Sequence, residues 1–271
     1  TWFPEMFCSG KLVAITCFTS NCAEAYWIAR QFKNAGSTVV MGGPHVMFVP
    51  EEALLFCDAV VIGDAEAIWP QLIRDYEQGA LQKIYRGKRD SLNTNVVERI
   101  LRLPRRDIRR VIQMGRGCKF HCDFCCISAM AAGNLQQQSV DETIKIIQTA
   151  VRPGGRISFL DNNIYADPER ARELFRRMIP LRIKWHASCS IDLARHDDDL
   201  RLARQSGCQG LLIGYELTPT DVLEIQKGGK FIHAADYVKL TKKIHRIGIK
   251  VKAHFIFGFE NQGWGALFST W

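Results

Sequence analysis

The chain of 271 residues has no apolar stretch approaching the roughly 20 residues that a membrane-spanning helix needs, which excludes a transmembrane segment of that kind. It does not open on the basic-then-apolar pattern of a signal peptide, so a cytoplasmic location is expected. It lacks the Gly-x-Gly-x-x-Gly fingerprint of an ordinary dinucleotide site. Low-complexity segments and sequence repeats are missing as well. A composition of 47% apolar and 24% charged residues excludes a disordered tail, a collagen or a coiled coil. The first residue is Thr1 and the last, Trp271, follows closely on a strand-like run, so a fragment cut at both ends is expected.

Positive charge is plentiful but uneven. Residues 1–100 carry 9 basic and 11 acidic side chains, whereas residues 101–271 carry 27 and 17. Arg99, Arg102, Arg105, Arg106, Arg109 and Arg110 crowd one short stretch. Such a patch fits a solvated linker, a site for an anionic ligand or a nucleic-acid surface; no nucleic-acid-binding motif accompanies it, so nucleic acid is disfavoured. The ten cysteines, without a signal peptide, point to reduced thiols or a metal site rather than to disulfides.

Two alternating strand–helix series are legible. The first has apolar strands at 11–18, 38–41 and 59–62, with helices at 22–35, near 50–57 and up to Tyr76. Asn21 is the expected cap of the helix at 22–35. Fully apolar strands alternating with helices predict a parallel sheet covered on both faces. The second series has strands at 111–114, 157–160, 184–189, 210–215 and 250–257. Its helices fall near 139–150, 168–179, 197–206 and 233–247. Ser139 with Glu142 forms a capping box, Asp167-Pro168 opens a helix, and Gly207 and Gly248 end theirs. The fold class is therefore α/β: a partial doubly wound parallel sheet over 1–80, an Arg-rich linker over 81–110, and a second parallel α/β domain over 111–271.

Chemistry concentrates in Cys118-x3-Cys122-x2-Cys125, placed after the first strand of the second series. In parallel α/β architectures that end of the strands carries the sites. Three thiolates suit a soft metal. A structural zinc wants four ligands, with Cys126 or His121 available as a fourth. A cubane cluster held by three cysteines leaves one iron open. Three buried thiols in a core would be the plainest alternative, but Lys119, His121 and Asp123 are polar for a packed segment. In the first series, Thr16–Ser20, Gly42–His45 and Gly63–Glu66 align along one sheet edge, which argues for a sizeable ligand lying across it.

Cys118-x3-Cys122-x2-Cys125, with the aromatic Phe124 before the last cysteine, resembles the signature of radical S-adenosylmethionine enzymes. The resemblance covers about 111–271. It implies a partial six-unit βα barrel missing its last unit, and a 4Fe-4S cluster on Cys118, Cys122 and Cys125 whose open iron binds S-adenosylmethionine. It further implies that Phe124, Asp161, Asn163, Ser190, Glu216 and Ile256 contact that cofactor. Asp161-Asn162-Asn163 stands where the family often has Gly-Gly-Glu, and is similar to the Asp-Asp-Asn of cobalamin-binding relatives. Gly214-Tyr215-Glu216 resembles the family's Gly-Phe-Glu, which implies that Glu216 accepts from the ribose hydroxyls. Phe255–Gly258 resembles the adenine-contacting segment.

The run MGGPHVMFVPEEAL, then DAVVIGDAE, then WPQLIRD resembles the cobalamin-binding domain preceding many such enzymes. It implies cobalamin contacts from Thr19, Ser20, Gly42, Gly43, His45, Gly63 and Glu66. Together these resemblances imply a cobalamin-dependent C-methyltransferase: a 5′-deoxyadenosyl radical takes hydrogen from an unactivated substrate carbon, and the substrate radical takes a methyl group from methylcobalamin. Arg116 and Lys119 would favour the more negative, reduced cluster. A small-molecule or lipid substrate, and an electron donor such as flavodoxin or ferredoxin, are implied. The stretch from Asp161 to Gly258 is similar to hopanoid methylases. The rival readings are a cobalamin-dependent radical cyclase or rearrangement enzyme, a tRNA methylthiotransferase with Cys8, Cys17 and Cys22 holding a second cluster, and a cobalamin-binding sensor without catalysis.

Overall fold

The computed structural model describes residues 10–87, 110–122, 124–131, 134–216 and 234–258. Cys8 and the arginines from Arg99 to Arg109 lie outside these, as does any sixth unit. The chain divides into two compact units, Thr1–Asp90 and Ser91–Trp271.

The first unit is a parallel sheet of β1 (Leu12–Thr16), β2 (Thr38–Gly42), β3 (Ala59–Ile62) and β4 (Ile84–Arg86), each strand pairing with the next. Alternation sends Val39, Met41 and Val60 to one face, where they pack with Ala25, Tyr26 and Ala29 of α1 (Cys22–Asn34). Val40, Ala59 and Val61 point to the other face, onto Leu72 of α4 (Trp69–Glu77). Both faces are therefore covered, as apolar parallel strands require. The strand order is sequential, so the reversal that defines a doubly wound sheet is not among the described residues.

Three expectations need correction in this unit. The linker does not begin at 81, because Ile84–Arg86 is a strand on β3. It is short, and its Tyr85 hydroxyl donates to Asp75 of α4 at 2.8 Å, a tertiary bond that sequence pattern does not announce. The helix expected near 50–57 is two short pieces, α2 (Pro44–Phe48) and α3 (Pro50–Ala53), because Pro50 removes an N–H and restarts the helix. Asn21 does not cap α1 with its side chain; its Oδ1 accepts from the Phe18 N–H at 2.8 Å instead.

The second unit is a five-stranded parallel sheet in the order β11-β10-β9-β8-β5. Its strands are β5 (Arg110–Ile112), β8 (Arg156–Phe159), β9 (Lys184–Ser188), β10 (Cys208–Glu216) and β11 (Lys250–Phe255). A two-residue antiparallel ladder, β6 (Gly115–Arg116) with β7 (Gln136–Gln137), closes the base of the cysteine-bearing loop. That loop carries α5 (Cys126–Ala131). The remaining helices are α6 (Val140–Ala150), α7 (Pro168–Met178), α8 (Asp197–Gln205) and α9 (Ala234–Arg246). The Ser139–Glu142 capping box and the Asp167 cap form as expected. Gly207 and Gly248 leave their helices at φ 102° and 79°.

One face of this sheet is the core. Ile157, Phe159, Trp185, Ala187, Leu211, Ile213 and Tyr215 pack against the helices. Trp185 is fully buried beside Phe175 and Phe159, and its indole N–H reaches Ser206 at 3.1 Å. Each such large apolar side chain contributes about 1.5–3 kcal/mol.

A buried polar link ties α7 and α8 to the loop after β8. The Asp199 carboxylate accepts from Arg172 Nε at 2.8 Å and from the Tyr165 hydroxyl. Burial pushes the Asp199 carboxyl up, but Arg172 and Tyr165 outweigh it and hold it below the ordinary range. Asp199→Ala leaves a buried hydroxyl and a partly buried guanidinium unpaired. It should destabilise the fold by about 2 kcal/mol in urea denaturation; an unchanged midpoint would show that the link contributes nothing.

Candidate functional site

The Cys118–Cys125 loop begins where the Gly115–Arg116 strand ends. A tight turn from Cys122 O to the Cys125 N–H, at 3.0 Å, feeds directly into α5. The Ser128 hydroxyl donates back to Phe120 O at 3.1 Å and folds the loop on itself. Cys118, Cys122 and Cys125 thereby come to line one cavity of about 220 Å³. Phe120 and Phe124 line it from the loop, Asn162, Asn163, Ser188 and Ser190 from the ends of β8 and β9, and Leu212, Gly214, Glu216 and His254 from β10 and β11. Cys126, next in the chain, is exposed and outside the lining. The three thiols share the cavity without forming a cage: among the described residues no three Cys, His, Asp or Glu side chains stand close enough to hold a single metal ion.

Asn163 is the most informative of the polar residues. It is 7% exposed, and its Oδ1 accepts from the Tyr165 N–H at 3.1 Å and the Ser190 N–H at 3.0 Å. Two donors on one oxygen fix which way the amide points. Its Nδ2 is buried in the cavity wall with no hydrogen-bond partner among the described residues. A buried N–H without an acceptor costs about 1–3 kcal/mol, so the position calls for an acceptor from a ligand.

Glu216 adopts φ 65°, a left-handed conformation uncommon outside glycine. The register of β10 against β11 slips between Gly214 and Glu216, and the carboxylate folds back over Gly214. A Cβ on residue 214 would lie 2.0 Å from Glu216 Oε1, so glycine there is what admits the carboxylate. Such local strain clusters at functional sites.

Asp161 and Ile256 do not line the cavity. The Asp161 Oδ2 accepts from the Met114 N–H at 3.0 Å, which places this carboxylate behind the cysteine loop, where it joins β8 to the end of β5. The Ile256 N–H donates to Glu216 O at 2.7 Å and holds the strained turn. Ser188 and His254 escaped the sequence reading, although their signal was there: each alternates with core residues on its own strand and so shares the cavity face.

Burial raises the Asp161 carboxyl to about 6 from an ordinary 3.8, against the pull of the Met114 N–H and of Arg170. The raised value means the folded state holds the proton more tightly than the unfolded chain does. The associated stability is complete below about pH 4 and is lost as pH rises through 6, by about 3 kcal/mol in all. Asp161→Asn should remove this slope, so that wild type loses ground to the variant between pH 4 and 7. Parallel denaturant curves that keep a constant offset across that range would refute the assignment.

In the first unit, Thr16, Gly42, Gly43 and Gly63 meet around a cavity of about 270 Å³ at the carboxyl end of the sheet, with Val40, Val61 and Trp69. Gly43 has φ 98°, and a Cβ there would lie 2.7 Å from Thr16 Oγ1, so only glycine fits the crossing. Thr19, Ser20, His45 and Glu66 are not in this lining. His45 is buried, with Nδ1 at 3.1 Å from the Thr19 hydroxyl and Nε2 at 3.1 Å from the Tyr26 hydroxyl. Ser20 and Glu66 are exposed.

The other thiols differ from the triad. Cys17, Cys57, Cys189 and Cys208 are buried, and burial pushes Cys57 up to about 11 and Cys208 to about 12. Cys57 and Cys208 therefore stay protonated and inert, whereas Cys189 lies in the wall of the cavity that the triad lines.

The sequence model of the Radical SAM superfamily matches residues 112–267. Bacteriochlorophyllide d C-12(1)-methyltransferase of Chlorobaculum tepidum is 27% identical over 270 residues, which is 95% of this chain and 59% of that protein. Hopanoid C-2 methylase of Rhodopseudomonas palustris is 21% identical over 160 residues, covering 55% of this chain and 30% of that one. The radical S-adenosylmethionine methyltransferase TsrM of Kitasatospora setae, solved with cobalamin and a 4Fe-4S cluster, has the same fold. Its TM-score is 0.70 at 15% identity, over 98% of this chain and 59% of that one. The chain thus spans less than two thirds of the length of these proteins.

Proposed function

This chain belongs to the Radical SAM superfamily, and from that membership we propose that it is the cofactor-binding part of a cobalamin-dependent methyltransferase acting on an unactivated carbon of a small molecule or lipid. The observation that carries the proposal is the convergence, on one cavity, of three thiols with a buried amide N–H that lacks an acceptor. The donor set is all sulfur, which suits iron and inorganic sulfide. When bound, the cluster and S-adenosylmethionine supply a 5′-deoxyadenosyl radical, and cobalamin supplies the methyl group.

The chain's own residues bind and orient. Cys118, Cys122 and Cys125 ligate the cluster. Asn163 Nδ2 donates to the carboxylate of S-adenosylmethionine, and the neighbouring Ser190 closes the same wall. The Glu216 carboxylate accepts from ribose hydroxyls, and the Ile256 N–H holds the Glu216 backbone carbonyl. Phe120 and Phe124 keep water from the cluster side. In the first unit, the glycine-lined edge at Thr16, Gly42, Gly43 and Gly63 admits a large planar ligand against the backbone, which suits cobalamin. The five strands of the second unit form most of a six-unit barrel in this reading. A flavodoxin or ferredoxin would deliver the electron. The relatives named as methyltransferases weigh toward methyl transfer over cyclisation. Iron analysis of the full-length protein after anaerobic reconstitution tests the reading; colourless protein holding one zinc overturns it.

A further inference from the structure

Acidic and basic side chains of the second unit are sorted to opposite ends of its sheet. The strands are parallel, so all of them start at the end away from the cysteine cavity, and the helix before each strand ends there. Four segments meet at that amino end: 147–158 leads from α6 into β8, 174–186 from α7 into β9, 201–212 from α8 into β10, and 242–252 from α9 into β11. Together they carry thirteen Lys and Arg and no Asp or Glu, so this end is uniformly cationic. Acidic residues instead open the same helices at the cavity end: Asp141 and Glu142 on α6, Glu169 on α7, and Asp197 to Asp199 on α8.

Hydrogen bonds join the four turns side by side. The Gly154 N–H donates to Arg182 O at 2.9 Å, the Trp185 N–H to Gly207 O at 3.0 Å, and Arg204 Nε to Ile247 O at 3.0 Å. Some of the cations are engaged within the fold: Arg177 pairs with Asp141, Arg201 with Asp198 and Lys243 with Asp197. Arg152, Arg156, Arg176, Arg182, Lys184 and Lys250 are exposed and make no ion pair among the described residues. Cations in the last turn of a helix complement its dipole, which accounts for Arg176. That reason does not extend to Arg156, Lys184 and Lys250, which start strands. Nor does it extend to Arg182, a turn residue at φ 49°, a conformation that favours glycine or asparagine. An apolar tip stands among these charges. Ile179, 39% exposed, and the exposed Pro180 form a short helical turn with the half-buried Leu181, between Arg177 and Arg182.

We infer that this amino end docks on the surface of an anionic bilayer, with Ile179 and Pro180 entering the headgroup layer and the surrounding arginines and lysines on lipid phosphates. A small apolar tip ringed by long cationic side chains matches the chemistry of that surface. Among the described residues no Phe, Tyr or Trp is exposed at this end, so it offers no stacking platform for a single-stranded nucleic acid. An acidic electron donor would need the cysteine loop, which lies at the other end of the strands. The contact localises the protein and leaves the cavity directed away from the bilayer.

The test mixes the full-length protein with two kinds of vesicle, phosphatidylcholine alone and phosphatidylcholine with about 30% phosphatidylglycerol, and reads the bound fraction by flotation. The anionic vesicles should bind at least about tenfold more strongly, and the excess should fall as salt is raised from about 50 to about 500 mM. Each Lys or Arg near such a surface contributes about fivefold, so Arg176→Gln, Arg182→Asn and Lys184→Gln combined should cut binding at least about tenfold. Asparagine suits the backbone at 182, so this variant should keep the wild-type melting temperature. If it melts early, Arg156→Gln with Lys250→Gln takes its place, and the same loss is expected. Ile179→Ser alone should weaken binding about threefold. Equal binding to the two vesicles, no binding to either, or an anionic preference that survives the charge-removing variant overturns the inference. A duplex RNA that displaces the protein from the vesicles at equal phosphate concentration also overturns it and reassigns the surface to nucleic acid.

Discussion

Reconstituted without oxygen, the full-length protein should turn brown and hold about four irons and four sulfides per chain. Cys118→Ala, Cys122→Ala and Cys125→Ala should each lose most of that iron and all turnover. The reason is the small size of the ligand set. Three thiolates leave one iron open, and removing a second anchor leaves the cluster bridging two cysteines over an exposed loop. Cys126→Ala is the matched control. It removes a thiol from the adjacent position, but Cys126 is exposed on α5 and does not line the cavity. Its iron content should equal that of the wild type. If Cys126→Ala loses the cluster while Cys118→Ala retains it, the assigned ligand set is wrong. If the triple substitution of the triad leaves a biological response intact, the protein is a sensor and not a radical enzyme.

The second large effect belongs to Asn163. Asn163→Asp keeps the shape and keeps an oxygen to accept from the Tyr165 and Ser190 N–H groups, so the loop after β8 stays in place. It replaces the donor facing the cavity with a second anionic oxygen. A ligand carboxylate then meets repulsion where it had a hydrogen bond. Affinity for S-adenosylmethionine, measured by calorimetry on the cluster-loaded protein, should fall about 10- to 100-fold. Thermal stability should change little by comparison. An unchanged affinity would mean that Asn163 only supports the turn, and its unpartnered N–H would need another acceptor.

The cysteine spacing and the phase of the strands were legible because both are local. The spacing of three cysteines within eight residues is read directly from the chain, and short apolar runs rich in β-branched residues and flanked by turn residues favour buried strands. The capping box at Ser139 and the Asp167 cap were legible for the same reason: each is a bond between residues at most three positions apart. What was not legible depended on distant partners. Asp161 and Asn163 look alike in sequence, two polar residues after one strand. Only Met114, 47 residues away, draws the first behind the loop, and only Ser190 turns the second into the cavity. The contacts of the His45 ring nitrogens with Thr19 and Tyr26, 26 and 19 residues away, are likewise announced by no local pattern.

Sequence alone therefore determined the family, the spacing of the three cysteines and the alternating strand–helix pattern of a parallel α/β fold, since each is written in short-range spacing and periodicity. Tertiary structure alone decided which polar side chains face the cavity and which serve the scaffold. It also decided that Gly214 makes room for Glu216, and that Ser188 and His254 join Asn163 on one cavity wall. Those facts are set by register between strands separated by 20 to 100 residues. The parallel pairing of whole βα units fixes that register, and no local pattern encodes it.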